Sequence, residues 1–220
     1  MSPSRDATVA RLRRLVETIE TDRLPVPVRA VWVYGDAALG MDPVDRLGIY
    51  LTKDLLFGDA SDREPAFAER LGVEGVSKTV SADWAEEHPD HVRAGGDGHA
   101  APERCLAAHL FGDDEPVHLE VSNSGFENEV GRRVETSRET GEYGRLLDPR
   151  AACLWVDGDD GGTTSEEAFR KLADGAFVFP TLSMALETLG MDERAAETAA
   201  EELRERRRTR EGLTVRGDVV

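Results

Sequence analysis

The chain has 220 residues, with 44 acidic side chains against 27 basic ones and a formal net charge of −17. At this length about 70% of the unfolded surface is removed from water on folding, so a core forms without disulfide staples. With 40% hydrophobic and 32% charged residues, and no apolar run near the ~18 to 20 residues of a membrane span, global disorder and membrane spanning are excluded.

In chain order, Val9, Leu12, Val16 and Ile19 repeat at helical spacing, and Asp6 is placed to cap that helix. Residues 28–34, rich in Val, Trp and Tyr, read as a buried strand ending at Gly35, and 47–52 as a second strand. Residues 58–100 mix charges with Gly and Pro and form a less regular, loop-rich part. Helix is expected over 102–111, strand over 117–121, helix over 126–136, a connector over 143–149 and strand over 152–156. The Asp- and Gly-rich stretch 157–162 predicts a turn that no regular element crosses. Three helices follow within 163–211, over 165–173, 180–189 and 192–210, and the tail 213–219 is placed to add a last strand. Helices interleaved with strands predict one α/β domain over residues 1–220, a mixed sheet flanked by helices.

The charge has a particular composition. Only Lys53, Lys78 and Lys171 are lysines, against 24 arginines. Forty-four carboxylates on such a surface lie about 15 Å apart, within the ~30 Å Debye length at 0.01 M salt and far beyond the ~3 Å at 1 M. Acid excess of this kind suits concentrated salt. Bulk nucleic acid is an unlikely partner, because phosphate neutralisation needs a basic face. Two cysteines, Cys105 and Cys153, and the lack of a signal or anchor pattern point to a cytosolic protein.

Three groups of residues have the makings of a site. The first is the run Val31, Trp32, Val33, Tyr34, Gly35, Asp36, Ala37, Ala38, Leu39, Gly40, then Asp42, Pro43, Val44, Asp45, Arg46, Leu47, Gly48. A strand, a tight glycine turn, small residues, a second glycine and another strand outline a phosphate-approach loop. This resembles the opening of the polymerase-β-like nucleotidyltransferases. The resemblance implies a nucleotidyltransferase-like fold in which the glycine lets backbone approach a triphosphate, a serine binds phosphate, and acids on the next strand hold Mg²⁺. Here Asp36 stands at the serine, Arg46 and Gly48 stand at the two acids, and Glu120 is left as a third acid from a neighbouring strand. Without its anchoring acids a two-metal site does not form. The simpler reading makes Gly35 and Gly40 turn glycines and Asp36 a helix N-cap. The segments Val-Trp-Val-Tyr-Gly-Asp and Asp-Pro-Val-Asp-Arg-Leu, with the composition, also make the chain similar to uncharacterised families of halophilic archaea.

The second group is the five histidines, His88, His91, His99, His109 and His118, with Cys105 among them. Cys105 and His109 are four apart on a predicted helix, hence on one face, which suits Zn²⁺; the alternative is a small buried thiol and surface imidazoles. Nucleophilic catalysis by Cys105 lacks an identifiable base and oxyanion hole. The third is the run Arg204, Arg206, Arg207, Arg208 and Arg210, interleaved with glutamates. It reads first as a solvated ion-paired face, and alternatively as a contact for phosphate or an acidic partner; Arg132 and Arg133 carry the same two readings.

The leading expectation is a non-catalytic binding or regulatory protein for a small molecule or protein partner, with Gly35, Asp36, Gly40, Asp45 and Glu120 lining an inherited cleft. The alternatives are a divergent transferase using Mg²⁺ at those acids, and a zinc protein using Cys105 and His109.

Overall fold

The computed structural model describes residues 2–22, 24, 27–53, 73–76, 79–82, 102–112, 114–158, 161–209 and 211–217. They form a mixed α/β architecture with an open six-stranded sheet and helices on both of its faces.

Helix α1 (Arg5–Thr21) is capped by Ser4, whose side chain accepts from the Ala7 amide; Asp6, the expected cap, lies in the first turn, where its charge favours the helix dipole. Strands β1 (Val28–Tyr34) and β2 (Leu47–Lys53) pair antiparallel. Between them, residues 35–40 close a turn through Leu39 N–H to Gly35 O (2.9 Å), with no helix after it, so Asp36 is not a helix cap. Within the stretch expected to be irregular, β3 (Val73–Val76) and β4 (Thr79–Ala82) pair as a separate antiparallel hairpin. Then come α2 (Pro102–Leu110), β5 (Val117–Ser122) and α3 (Phe126–Thr140).

Strands β6 (Ala151–Gly158) and β7 (Gly161–Thr164) correct the expectation for 157–162. Regular pairing extends into it from both ends, with Asp157 opposite Gly162 and Gly158 opposite Gly161, while residues 159–160 lie outside the described residues. The glycines are what make this edge possible: a Cβ at Gly162 would stand 2.4 Å from the Trp155 indole nitrogen. Helices α4 (Glu166–Asp174), α5 (Leu182–Thr188) and α6 (Glu193–Thr209) and strand β8 (Thr214–Arg216) complete the fold. The strand order is β7-β6-β1-β2-β5-β8, with β2, β5 and β8 parallel and the other neighbours antiparallel.

Alternation at period two gives the sheet unlike faces. Val31, Val33, Ile49, Leu51, Leu119, Val121 and Leu154 point to a wholly apolar core under α1, α2 and α4. Trp32, Tyr34, Tyr50, His118 and Glu120 point the other way. There Phe126 of α3 stacks on Trp32 (ring centroids 5.0 Å apart) and meets Tyr50 edge-on (5.3 Å). A leucine and alanine cluster joins α3, α5 and α6 beyond it. No helix among the described residues is long and apolar enough to cross a membrane.

Candidate functional site

The second face is built in rows by strand register. Tyr34 of β1 lies opposite Gly48 of β2, Gly48 beside His118 of β5, and His118 beside Thr214 of β8. One row deeper come Trp32, Tyr50, Glu120 and Arg216. Gly48 opens a gap in the first row, because a Cβ there would stand 2.7 Å from the Tyr34 ring and 2.8 Å from its carbonyl oxygen. Into the gap open Tyr34, Gly35, His118 and Glu120, walled by Leu146, Leu147 and Asp148 of the connector and by Leu203, Arg206 and Arg207 of α6. Arg46 and Arg216 complete the lining of a cleft with ≈ 50 Å³ open to water, several times the 10–15 Å³ one water needs.

Its charges are paired with few acceptors to spare. Glu120 is completely buried. It accepts from Arg216 Nε (2.7 and 2.8 Å to its two oxygens), from Arg133 Nη2 (3.0 Å) and from His118 Nε2 (2.9 Å). Burial pushes its carboxyl up, yet the hydrogen bonds of His118 and Arg216 and the charges of Arg216 and Arg133 outweigh it and hold it well below the usual range. Asp148 follows the same logic: buried, it accepts from Arg150 Nε (2.9 Å) and Arg207 Nη2 (2.7 Å), and these cations hold it below its ordinary value. Arg207 also donates to Asp36 Oδ1 (3.1 Å), and so ties α6 to both the β1 turn and the connector. Arg46 donates through Nη2 to Val117 O, Gly212 O and Thr214 Oγ1 at 2.7 to 2.9 Å.

One lining group differs. Tyr34 is 6% exposed, and its hydroxyl, buried, has no hydrogen-bond partner among the described residues. The neighbouring Tyr50 hydroxyl, by contrast, donates to Ser124 O at 2.6 Å. Burial first, and the Glu120 charge second, push the Tyr34 phenol well above its ordinary range, so it stays an O–H donor.

A hydrogen-bonded line runs from Thr214 Oγ1 to His118 Nδ1 (2.7 Å) and from His118 Nε2 to Glu120 (2.9 Å). The spacing suits a hydroxyl nucleophile, a base and an orienting acid. Two facts speak against that use. Thr214 does not line the cleft, and Glu120 is engaged by two guanidinium groups that drain its charge. The line instead fixes the positions of Arg46 and Arg216 around the opening.

Of the residues expected from sequence, Gly35 and Glu120 line this cleft and Asp36 borders it, with its carboxylate on Arg207 and the Arg46 amide (3.2 Å). Gly40 lies outside the lining, where its carbonyl accepts from Arg5 (2.6 Å) and its Cα packs against Gly175. Asp45 is exposed and also outside it. His109 pairs with Asp22 at 3.4 Å. The Cys105 side chain and His88, His91 and His99 lie outside the described residues. Among the described residues no three of His, Cys, Asp and Glu gather as a metal-holding group. The arginine run divides: Arg208 pairs with Glu205 on the exposed face, while Arg206 and Arg207 turn into the cleft wall. Tyr34, Arg207, Asp148 and Arg216 were not singled out for this cleft by sequence reasoning.

A family model described as "Family of unknown function (DUF7095)" matches residues 4–220. No curated protein and no solved structure matches the chain.

Proposed function

The chain belongs to DUF7095, a family of unknown function, and we propose that it is a cytosolic binding protein whose cleft holds a small anion and does no chemistry on it. The observation that carries this is the Tyr34 hydroxyl, a buried donor without a partner among the described residues, on a side chain that lines a cleft together with four arginines. An unsatisfied buried donor costs about 1–3 kcal/mol, a cost a protein recovers when a ligand accepts the bond. The resemblance to nucleotidyltransferases fits the same reading as ancestry. Arg46 and Gly48 occupy the two positions of the metal-holding acids; a guanidinium supplies the positive charge that a metal would have brought, and the missing Gly48 side chain makes room for the Tyr34 ring. Glu120, the remaining acid, has its oxygens occupied by cations, which speaks against a magnesium-dependent transferase.

The Tyr34→Phe variant tests the reading through two opposite changes. Without ligand it is expected to be about 1 kcal/mol more stable than the wild type, since the orphan hydroxyl is gone and the ring remains. With phosphate or sulfate present, the rise in melting temperature expected of the wild type is expected to shrink. A variant that is less stable without ligand would show that the hydroxyl already has a partner, and the proposal would fall.

The surface belongs to the proposal as well. We read the acid excess and the scarcity of lysine as adaptation to concentrated salt. The melting temperature is therefore expected to fall by about 4–8 °C, roughly 2 kcal/mol, between molar and millimolar KCl, as screening of the carboxylates is lost. A melting temperature unchanged over that range contradicts the assignment.

A further inference from the structure

Residues 175–186, which link α4 to α5 and enter it, form the longest uncharged run of the chain, twelve residues in a sequence that is 32% charged. They are not hidden. Val178 is 95% exposed and Met184 55%. Met41, next to the Gly40 that packs against Gly175, is 52% exposed. We infer that this link is where two copies of the chain associate, pairing antiparallel about a twofold axis at Val178.

The backbone is prepared for such pairing. Exposure alternates over 176–180 with the period of a strand: Phe177 and Phe179 are half-buried, while Ala176, Val178 and Pro180 are exposed. The two phenyl rings stack with centroids 5.6 Å apart, Phe177 packs on the core under α1, α2 and α4, and the Lys171 ammonium lies 5.7 Å from its ring. Anchored on either side in this way, Val178 stands outward. Among the described residues the main chain of Phe177, Val178 and Phe179 makes no hydrogen bond, so its donors and acceptors are open to a strand from another chain. Pro180, which has no N–H, ends the pairing stretch. Antiparallel pairing centred on Val178 sets residue 177 of each copy opposite residue 179 of the other, so one segment supplies both sides of the contact.

Charge selects the occupant. A basic partner is drawn to the carboxylates that cover this chain, and a neutral stretch is the least suitable place for it to bind. The stretch suits a partner that is itself acidic and is repelled everywhere else, and a second copy, at −17, is such a partner. With carboxylates about 15 Å apart, a contact of about 800 Å² a side elsewhere would set three or four of them against as many on the other copy. The β7 edge is the other open strand with an uncharged run, at 161–165. Asp159 and Asp160 precede it and Glu166 and Glu167 follow it, so a copy pairing antiparallel there brings acids together. Twelve residues are fewer than the 20–30 a side of a standard interface, so the dimer is a weak one that depends on screening of the remaining charge.

The experiment is analytical ultracentrifugation of the full chain, Val178→Asp and Thr163→Asp, each in about 2 M and about 0.1 M KCl. The wild type is expected to show a monomer–dimer equilibrium with a dissociation constant of about micromolar to 100 micromolar in the higher salt, and at least ten-fold weaker association in the lower. Val178→Asp is expected to weaken the dimer at least ten-fold, and Thr163→Asp, on the exposed edge of β7, to leave it unchanged. Val178 is exposed, so Val178→Asp is expected to keep the wild-type melting temperature in dilute solution. Should it not, Val178→Ser, which adds no charge, is expected to weaken the dimer about three-fold with the fold intact. A wild type that stays monomeric at about 1 mM chain in the higher salt overturns the inference. So does a dimer that both substitutions of Val178 leave intact, or one equally tight in both salts. A dimer lost in Thr163→Asp but kept in Val178→Asp overturns it in favour of the β7 edge.

Discussion

Replacing Glu120 with alanine is expected to cost about 3 kcal/mol of stability, at the low end of the 3–5 kcal/mol for breaking a buried ion pair. Arg133 and Arg216 both lose a carboxylate, but the loss is uneven. Arg133, whose side chain is 8% exposed, keeps Glu129 at 2.5 Å, while Arg216, at 19%, relaxes partly into water. The same residue shapes the acid limb. Its carboxyl in the folded protein lies below its unfolded value, so its contribution is complete above the unfolded carboxylate pKa near 4 and is lost as pH falls toward the folded one. Asp148 acts in the same direction. Stability is therefore expected to be level above pH 5 and to fall steeply below 4, and Glu120→Gln is expected to make that fall shallower. Denaturant melts of the wild type and both variants from pH 2.5 to 7 measure all of this. A loss below 1 kcal/mol for Glu120→Ala at pH 7 would show that the cluster does not depend on this carboxylate.

Gly48→Ala is expected to cost about 2–3 kcal/mol and to abolish anion binding at the same time. The added methyl meets both the Tyr34 ring and the Tyr34 carbonyl oxygen. The ring must shift to make room beside the cleft it lines; the carbonyl belongs to the β1–β2 pairing and moves only if the sheet does. Overpacking of this kind typically costs 1–3 kcal/mol, and here part of the core face is backbone, which places the site at the upper end. A thermal melt and a phosphate titration on one sample check both effects. A variant that keeps wild-type affinity would mean that the gap at Gly48 does not shape the cleft.

These two residues mark where the sequence is legible and where it is not. Strands β1, β2 and β5 follow from β-branched and aromatic residues at period two, and α1, α4, α5 and α6 from apolar spacing with glycine beyond several of the ends. The hairpin of β6 and β7 is hidden because Asp and Gly usually break strands, and here Gly162 is needed to fit beneath Trp155. Gly35 and Glu120 are readable as cleft residues because one ends a strand and the other alternates with apolar neighbours. Asp45 and Gly40 misled for the opposite reason. They are near the motif in sequence, but Gly40 packs against Gly175 and Asp45 points to solvent.

The partners of Glu120 come from positions 118, 133 and 216, and those of Asp36 and Asp148 include position 207. Sheet register and the return of α6 bring these residues together, and no local spacing encodes that. One signal was present. Glu120 lies on the side of β5 opposite Val117, Leu119 and Val121. Because that second face of the sheet is covered too, it must find cations when it is buried, of which the chain supplies almost only arginine.

The most direct measurement is a crystal of the full chain soaked with tungstate and, in a second crystal, with Mn²⁺, each located by its anomalous signal. The account expects a tungstate peak within hydrogen-bonding distance of the Tyr34 hydroxyl and the Arg207 and Arg216 guanidinium groups, and no Mn²⁺ peak beside Glu120. Manganese bound at Glu120, with the cleft empty of tungstate, would contradict it.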